Sequence, residues 1–410
     1  MWSIYGNTYD LTSFIPHHPG GKEILENTRN MGDCTALFES YHAFSDFPQI
    51  RQSLEKYKIQ NHLTEGKKDY CHDFTTYHEL VDRIKLVFPD RPSIKPSSFW
   101  YTLVSGLGIA YVFILYHLLS YELYGFWTTL YLSGVMGLLE STILFNIVHD
   151  SSHYAFFLDS KKNNVASTLS NSWILWNHTV WFFHHIFYHH SFTGNFIDPD
   201  HNIFNNLRNV PSWMVNFFYM VFPGQYVTQI IWYGVSVFTH DLYTFFSFND
   251  NRQVNGEPIV PLPSRGFSYF YDPWSLSIMS IKIVLLSRIP IVPLLFYFIV
   301  VNVLYYGNVF GNHDLYSTLE NFYDGPDWAK RQICNSGNFM NSSVIWSFLF
   351  GGINYQIEHH LFPNMNNSHY RTIAPLVQQF CLEKNIPYIH KNTWLETYSD
   401  FIKRTKHRKH

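Results

Sequence analysis

The chain has 410 residues, of which 19% are aromatic and only 14% charged, and its formal net charge is −3. Soluble domains carry about a quarter charged residues, so this balance points to a membrane protein. A chain this close to neutral has no global field for nucleic acid, which excludes that class of partner.

Residues 1–60 are mixed polar and apolar, with a turn signal at Pro19-Gly20-Gly21 and no long apolar run. They predict a small soluble domain. Its first residues lack a basic stretch followed by an apolar one, so no cleaved signal peptide is expected and the lobe should face the cytosol. Residues 61–98 are charged, with Arg83, Lys85, Arg91 and Lys95 ahead of the first apolar segment. They read as a linker and an amphipathic approach helix.

Phe99 to Leu119 is long enough to cross an apolar layer of roughly 30 Å, and Phe126 to Val148 can cross back. Lys95 precedes this pair, Lys161 and Lys162 follow it, and the loop between has no Lys or Arg, so both flanks are expected in the cytosol. Trp213 to Phe238 is aromatic-rich and broken by Pro223-Gly224, which suits an interfacial or re-entrant segment. Residues 281–310 are apolar except for Lys282, Arg288, Asn302 and Asn308, and contain Pro290 and Pro293. With Ser275 to Ile281 they make a second hairpin, for four crossings in all. The tail from Asn364 reads as soluble and ends in basic Lys403 to Lys409. Cys34, Cys71, Cys334 and Cys381 form no C-x-x-C pair and read as reduced packing thiols. The expected fold is mainly α: the lobe at 1–60, the linker at 61–98 and a helical membrane domain at 99–410 with a histidine-bearing cytosolic cap.

Seven histidines fall in three groups: His149 and His153; His185, His189 and His190; His359 and His360, with Gln356 ahead of them. Residues four apart on a helix differ by about 40° around its axis, so each group presents nitrogens from one face. One zinc takes about four ligands. Seven histidines fit two metal ions with open positions better, and all-imidazole donors suit oxygen-activating iron, with copper and zinc left open on donors alone. Asp150, Glu358 and the Asp198-Pro-Asp200 turn are expected to orient ligands by accepting their second ring N–H. His178 and His184 are assigned to packing or ligand support.

These groups resemble the histidine boxes of membrane fatty-acyl desaturases. The phrase Gly351-Gly-Ile-Asn-Tyr-Gln-Ile-Glu-His-His-Leu-Phe-Pro363 resembles the signature of the front-end subfamily, in which Gln356 stands in place of a histidine. Matching context continues at Asp327-Trp328, Gln332, Ile373-Ala-Pro375, Cys381 and Ile386-Pro-Tyr388, while Ser191-Phe-Thr-Gly-Asn departs from the usual flank. The resemblance implies two irons, held by His149, His153, His185, His189, His190, His359 and His360. It adds His313, in Gly311-Asn-His-Asp, as an eighth histidine and Gln356 as an amide donor.

In the first lobe, His18-Pro-Gly-Gly follows Tyr9-Asp-Leu-Thr12, and His42 comes 24 residues after His18. Pro and Gly beside a histidine let a macrocycle approach its imidazole. Residues 2–60 resemble cytochrome b5. That implies haem b between axial His18 and His42, an electron carrier with no open iron position. Glu39 and Asp46 are expected to help dock a positively charged reductase.

Together the two resemblances imply an O2-dependent front-end desaturase of a long-chain acyl lipid, fed from NADH through cytochrome b5 reductase. A sphingolipid long-chain-base desaturase or lipid hydroxylase is the enzymatic alternative, and a noncatalytic membrane haem protein the alternative of another class. The aromatics from Trp173 to Phe196 are candidates to line an acyl tunnel. The resemblance and the basic tail at Lys406 and Arg408 place the chain in the endoplasmic reticulum, both termini cytosolic.

Overall fold

The computed structural model describes residues 1–59, 72–195, 197–198, 200, 211, 214, 253–254, 257–258 and 272–407. The segment expected at Trp213 to Phe238, apart from Met214, lies outside the described residues, as do linker residues 60–71 and the last three of the basic tail.

In the amino-terminal lobe β1 (Trp2–Ile4) pairs antiparallel with β2 (Asn7–Tyr9), Trp2 facing Tyr9. Three helices follow: α1 (Lys22–Thr28), α2 (Thr35–His42) and α3 (Phe47–Glu55). The α3 start is set by Asp46, whose carboxylate accepts from the Gln49 N–H, and by Pro48 in its first turn, where a missing N–H costs nothing. Trp2, Tyr9, Leu37 and Leu54 are buried in one cluster that continues into Val148 and Tyr154 of the following domain. The lobe therefore shares its core with the membrane domain.

Helix α4 (Thr75–Lys85) carries the amphipathic pattern expected of an approach helix, burying Tyr77, Leu80, Val81 and Ile84. That face packs against Trp328, Tyr370 and Phe380 of the cap. Glu39 on α2 is caught at the same seam: it is 1% exposed, and accepts from Arg51 at 2.9 Å and His78 at 2.8 Å. A buried, fully paired carboxylate cannot dock a reductase, so the expectation for Glu39 is corrected. Asp46 is engaged as a helix cap.

The membrane domain is built on α5 (Ser98–Leu119) and α6 (Phe126–Ile143), the latter running on to Ser152 through a π-helical turn at Leu144–His149. Then come α7 (Ser160–Trp173), α8 (Pro273–Leu286) and α9 (Ile291–His313). Large apolar side chains on these helices face outward, among them Ile109, Val112, Phe113, Trp127, Tyr131, Val284 and Val292. A band of this kind is the mark of lipid contact. Among the described residues three helices are long and apolar enough to cross: Ser98–Leu119, Phe126–Ser152 and Ile291–Glu320. The four-crossing expectation is not met in full. Its remaining helix, α8, has 14 residues, about 21 Å of rise against a layer of roughly 30 Å. Pro290 stands at the N-cap of α9 and ends the apolar run before α8 can lengthen.

Lys282 of α8 is 1% exposed and donates to Glu140 of α6 at 2.6 Å, an oxygen that also accepts from Tyr297. Removing one partner of such a pair strands a buried charge. Lys282→Ala is expected to lower stability by about 3–5 kcal/mol, read as a drop in unfolding temperature in detergent, with Lys282→Met/Glu140→Gln recovering most of the loss.

The cap consists of α10 (Trp328–Cys334), α11 (Gln356–Leu361), α12 (Tyr370–Lys384) and α13 (Trp394–Lys406). A parallel pair, Asn338–Phe339 with His390–Lys391, ties the tail back beside α11. The stretch after Asn364 is thus a packed wall of the cap.

Candidate functional site

His18 stands in a turn that only small residues allow. A Cβ at Gly20 would come within 2.6 Å of the His18 ring, and Gly21 sits at φ 94°. His18 Nδ1–H donates to the Gly21 carbonyl at 2.9 Å and His42 Nδ1–H to the Phe38 carbonyl at 2.7 Å. Both rings thereby keep Nε2 as a free lone pair. Burial lowers both pKa values, that of His42 to about 4, so both imidazoles are neutral. Their centroids lie 6.2 Å apart over a cavity of about 350 Å³. Two imidazoles bound to one metal at about 2 Å each put their centroids roughly 6 Å apart, so the pair fits axial ligation.

In the cap and the membrane mouth the sequence groups are redistributed. His149, His153, His185 and His359 bring ligand nitrogens within 4.8 Å of one another, and so do His189, His313 and His360. His185 and His189 stack at 5.3 Å and share a third cluster with Asp200, as the sequence expected of one face, while each also reaches into a different one of the first two. The reason is local: Phe182–His189 is π-helical, like Leu144–His149. Bonding from i to i+5 brings residues five apart together, and His185 Nε2 meets His190 Nε2 at 3.3 Å.

Five of the second ring nitrogens are held from outside, while the Nδ1 atoms of His149 and His190 have no hydrogen-bond partner. His189 Nδ1–H donates to Asp198 at 2.9 Å, His313 Nδ1–H to the Asn335 carbonyl at 2.8 Å and His360 Nδ1–H to Gln332 Oε1 at 2.8 Å. His153 Nδ1 meets the Tyr41 hydroxyl at 2.9 Å and His359 Nδ1 the Tyr370 hydroxyl at 3.1 Å. Acceptors on Nδ1 fix the proton there and leave Nε2 bare. The Nε2 atoms of His153, His359 and His360 have no hydrogen-bond partner, and His149 and His185 meet Nε2 to Nε2 at 3.2 Å, as do His189 and His313. Facing lone pairs repel unless a metal ion or a proton lies between them. Burial, together with the neighbouring histidines, holds His153, His185, His190, His359 and His360 well below the usual pKa. At His189 burial acts the same way, but the carboxylates of Asp198 and Asp200 outweigh it and raise the pKa to about 9. The Gln356 amide lies 2.9 Å from His313 Nε2, at the edge of the second group.

Of the expected orienting carboxylates, Asp198 acts on a ligand directly, and Asp200 reaches His184 at 2.9 Å. Asp150 lies 3.8 Å from His149 Nδ1, beyond hydrogen-bond reach, and accepts instead from Asn366 and Asn367. Glu358 points away from the nitrogens to Asn338 and Tyr388, because on α11 it lies on the face opposite His360; it fixes the helix, not a ring. His178 bonds Ser167 at 2.6 Å, a packing role. Tyr41, Gln332, Asn335 and Tyr370 were not foreseen as orienting groups. Gln332 is marked only by its match to family context, and the others carry no signal beyond being polar among apolar neighbours.

An apolar cavity of about 50 Å³ opens on both groups, lined by Val148, His149, Trp176, Trp181, His185, Tyr305, His313 and Gln356 among others. Trp176 and Trp181 come from the aromatic stretch expected to line a tunnel. The loop leading to α11 passes so close to the π turn that a Cβ at Gly351, which sits at φ 55°, would lie 2.5 Å from the Phe145 carbonyl carbon. Gly351→Ala is expected to cost roughly 2–4 kcal/mol and to lower metal content, checked by thermal unfolding and elemental analysis.

Residues 122–392 match the family model described as fatty acid desaturase. The chain belongs to that family. The desaturase is preceded by a match over residues 1–63 to the cytochrome b5-like heme/steroid binding domain. Among curated proteins it is 25% identical to an acyl-lipid (8-3)-desaturase of Mortierella alpina, over 98% of this chain and 92% of that protein. It is 25% identical to Delta(5) fatty acid desaturase A of Dictyostelium discoideum, over 98% and 88%, and 24% identical to Delta(8)-fatty-acid desaturase 2 of Arabidopsis thaliana, over 96% and 87%. No solved structure matches. The desaturase is a membrane-protein oxidoreductase acting on acyl lipids, whose b5-like domain implies haem and whose family implies iron. The bare, inward-facing nitrogens of both sites suit those metals.

Proposed function

We propose that this desaturase performs front-end desaturation, placing a double bond between an existing one and the carboxyl end of a long-chain acyl lipid. The convergence of proton-free Nε2 atoms beside an apolar cavity carries this reading. His149, His153, His185, His190 and His359 would hold one iron; His189, His313 and His360, with the Gln356 amide beside them, would hold a second. Bound there, the irons supply oxygen activation, and haem b between His18 and His42 supplies electrons.

The chain's own residues do the rest. Asp198, Gln332 and Asn335 keep the ligand protons on Nδ1, so the metal-facing nitrogens need no rearrangement. Trp176, Trp181, Tyr305 and Val148 offer an apolar wall against which methylenes can lie. Overall, two hydrogens leave adjacent carbons and O2 leaves as two waters, with two electrons and two protons supplied from outside. The electrons come from NADH through cytochrome b5 reductase. The division is a haem lobe at 1–60, a linker at 61–98 and the desaturase domain at 99–410. The membrane is that of the endoplasmic reticulum with both termini cytosolic: Lys95, Lys161 and Lys162 flank the first hairpin on one side, and His149 at the end of α6 and His313 at the end of α9 line one cavity, so the short α8 and α9 together enter from and return to that side.

The test is expression in a host of defined lipids fed polyunsaturated acyl chains, followed by double-bond localisation. New unsaturation on the carboxyl side of an existing bond is expected. Unchanged acyl profiles, or new bonds only in long-chain bases, would overturn the reading.

A further inference from the structure

The hydrogen bond between Tyr41 and His153 joins the two redox parts of the chain. Tyr41 is the sequence neighbour of His42, and both side chains border the cavity between His18 and His42. Its hydroxyl lies 2.9 Å from His153 Nδ1, on the far side of the ring from an Nε2 that has no partner. Asn364 of the cap donates to the Tyr41 carbonyl at 2.9 Å, and the Tyr41 ring meets Tyr154 edge-on at 6.4 Å. The residue is therefore held from both its main chain and its ring. Among the described residues, none of the others that orient a histidine of the two groups comes from the amino-terminal lobe: Asp198, Gln332, Asn335 and Tyr370 all belong to the membrane domain and cap.

We infer that Tyr41 is a positioning residue that wires the haem to the first iron group: the continuous path runs from the His42 imidazole along the main chain to Tyr41 and across its hydroxyl to the His153 ring. This rests on the assignment of His18 and His42 to haem and of His153 to iron. With haem held by His18 and His42 and iron by His153, one electron would pass from ferrous haem to a ferric ion, leaving the haem ferric and that ion ferrous. No bond breaks, and the hydrogen of the Tyr41–His153 contact stays in place. Because the path is built into one chain, transfer is intramolecular.

The test uses purified full-length protein, loaded with haem and iron, oxidised and kept without O2. A photoexcited flavin with a sacrificial amine donor reduces the haem, and its reoxidation is followed by the loss of the ferrous haem band. Wild type should reoxidise and chelator-stripped protein should not; if both behave alike, the iron assignment fails before Tyr41 is in question. Tyr41→Phe should keep wild-type haem and iron contents while reoxidation slows by about 10- to 100-fold. Fluorinated tyrosine at position 41, which keeps the hydroxyl, should restore the rate. Glu23→Ala removes another contact between the lobe and the membrane domain, the one with Asn164 at 2.9 Å, and should leave the rate unchanged. An unchanged rate in Tyr41→Phe overturns the inference. So does loss of its iron, which would make Tyr41 a ligand support only, or equal slowing by Glu23→Ala, which would make the effect one of docking.

Discussion

His359→Ala is expected to abolish double-bond formation while leaving the haem band in place. The ring is fully buried and central to the first group, with centroids 4.5 Å from His149, 4.8 Å from His153 and 4.6 Å from His190. Truncation removes one of the converging nitrogens and also leaves the Tyr370 hydroxyl without its partner at 3.1 Å. Loss of a residue that only orients a ligand costs 10- to 100-fold, so loss of the ligand itself should cost about 100-fold or more. Tyr370→Phe should fall in the lower range. Iron analysis and lipid profiling of the same preparation check both, and retained desaturation in His359→Ala would remove His359 from the metal site.

His18→Ala is expected to remove the haem band and bring NADH-driven desaturation to background, with iron content unchanged. His18 supplies one of the two facing nitrogens, and among the described residues no other ring of this turn can replace it: His17, at the end of the 3-10 turn that His18 caps, is exposed. A haem left with one imidazole also gains an open position and loses its character as a pure electron carrier. Since His18 belongs to neither metal group of the cap, the iron sites should fill normally. Absorbance of the purified variant and its metal content separate the two losses, and an intact haem band in His18→Ala would refute the axial assignment.

The histidines were legible because chemistry marks them: imidazoles repeated at short spacing beside apolar segments have few other uses. What joins which ligand to which group was not. The sequence suggested α-helical faces, and the π turns at Leu144–His149 and Phe182–His189 shift the register by one residue, moving His190 towards His185 and His189 towards His313. The two apolar hairpins were read from length alone, and α8 proved shorter than a crossing because Pro290 starts a new helix. Glu39 and Glu358 show the limit of reading carboxylates from sequence. Their neighbours in space, Arg51 and His78 for one, Asn338 and Tyr388 for the other, lie too far along the chain to be paired in advance. Tyr41 escaped notice for the same reason, since its partner is 112 residues away.

The wall of the cavity between His18 and His42 is not supplied by the lobe alone: Arg91 and Lys95 of the linker and Tyr154 and Asn364 of the following domain complete it. Lys95 is itself pinned there by the carbonyls of Tyr154 and Asn364 at 2.7 and 2.8 Å. Loading the prosthetic group is therefore a stage of tertiary assembly, not a finishing touch to a free-standing carrier. A ligand that fits only the closed arrangement stabilises that arrangement.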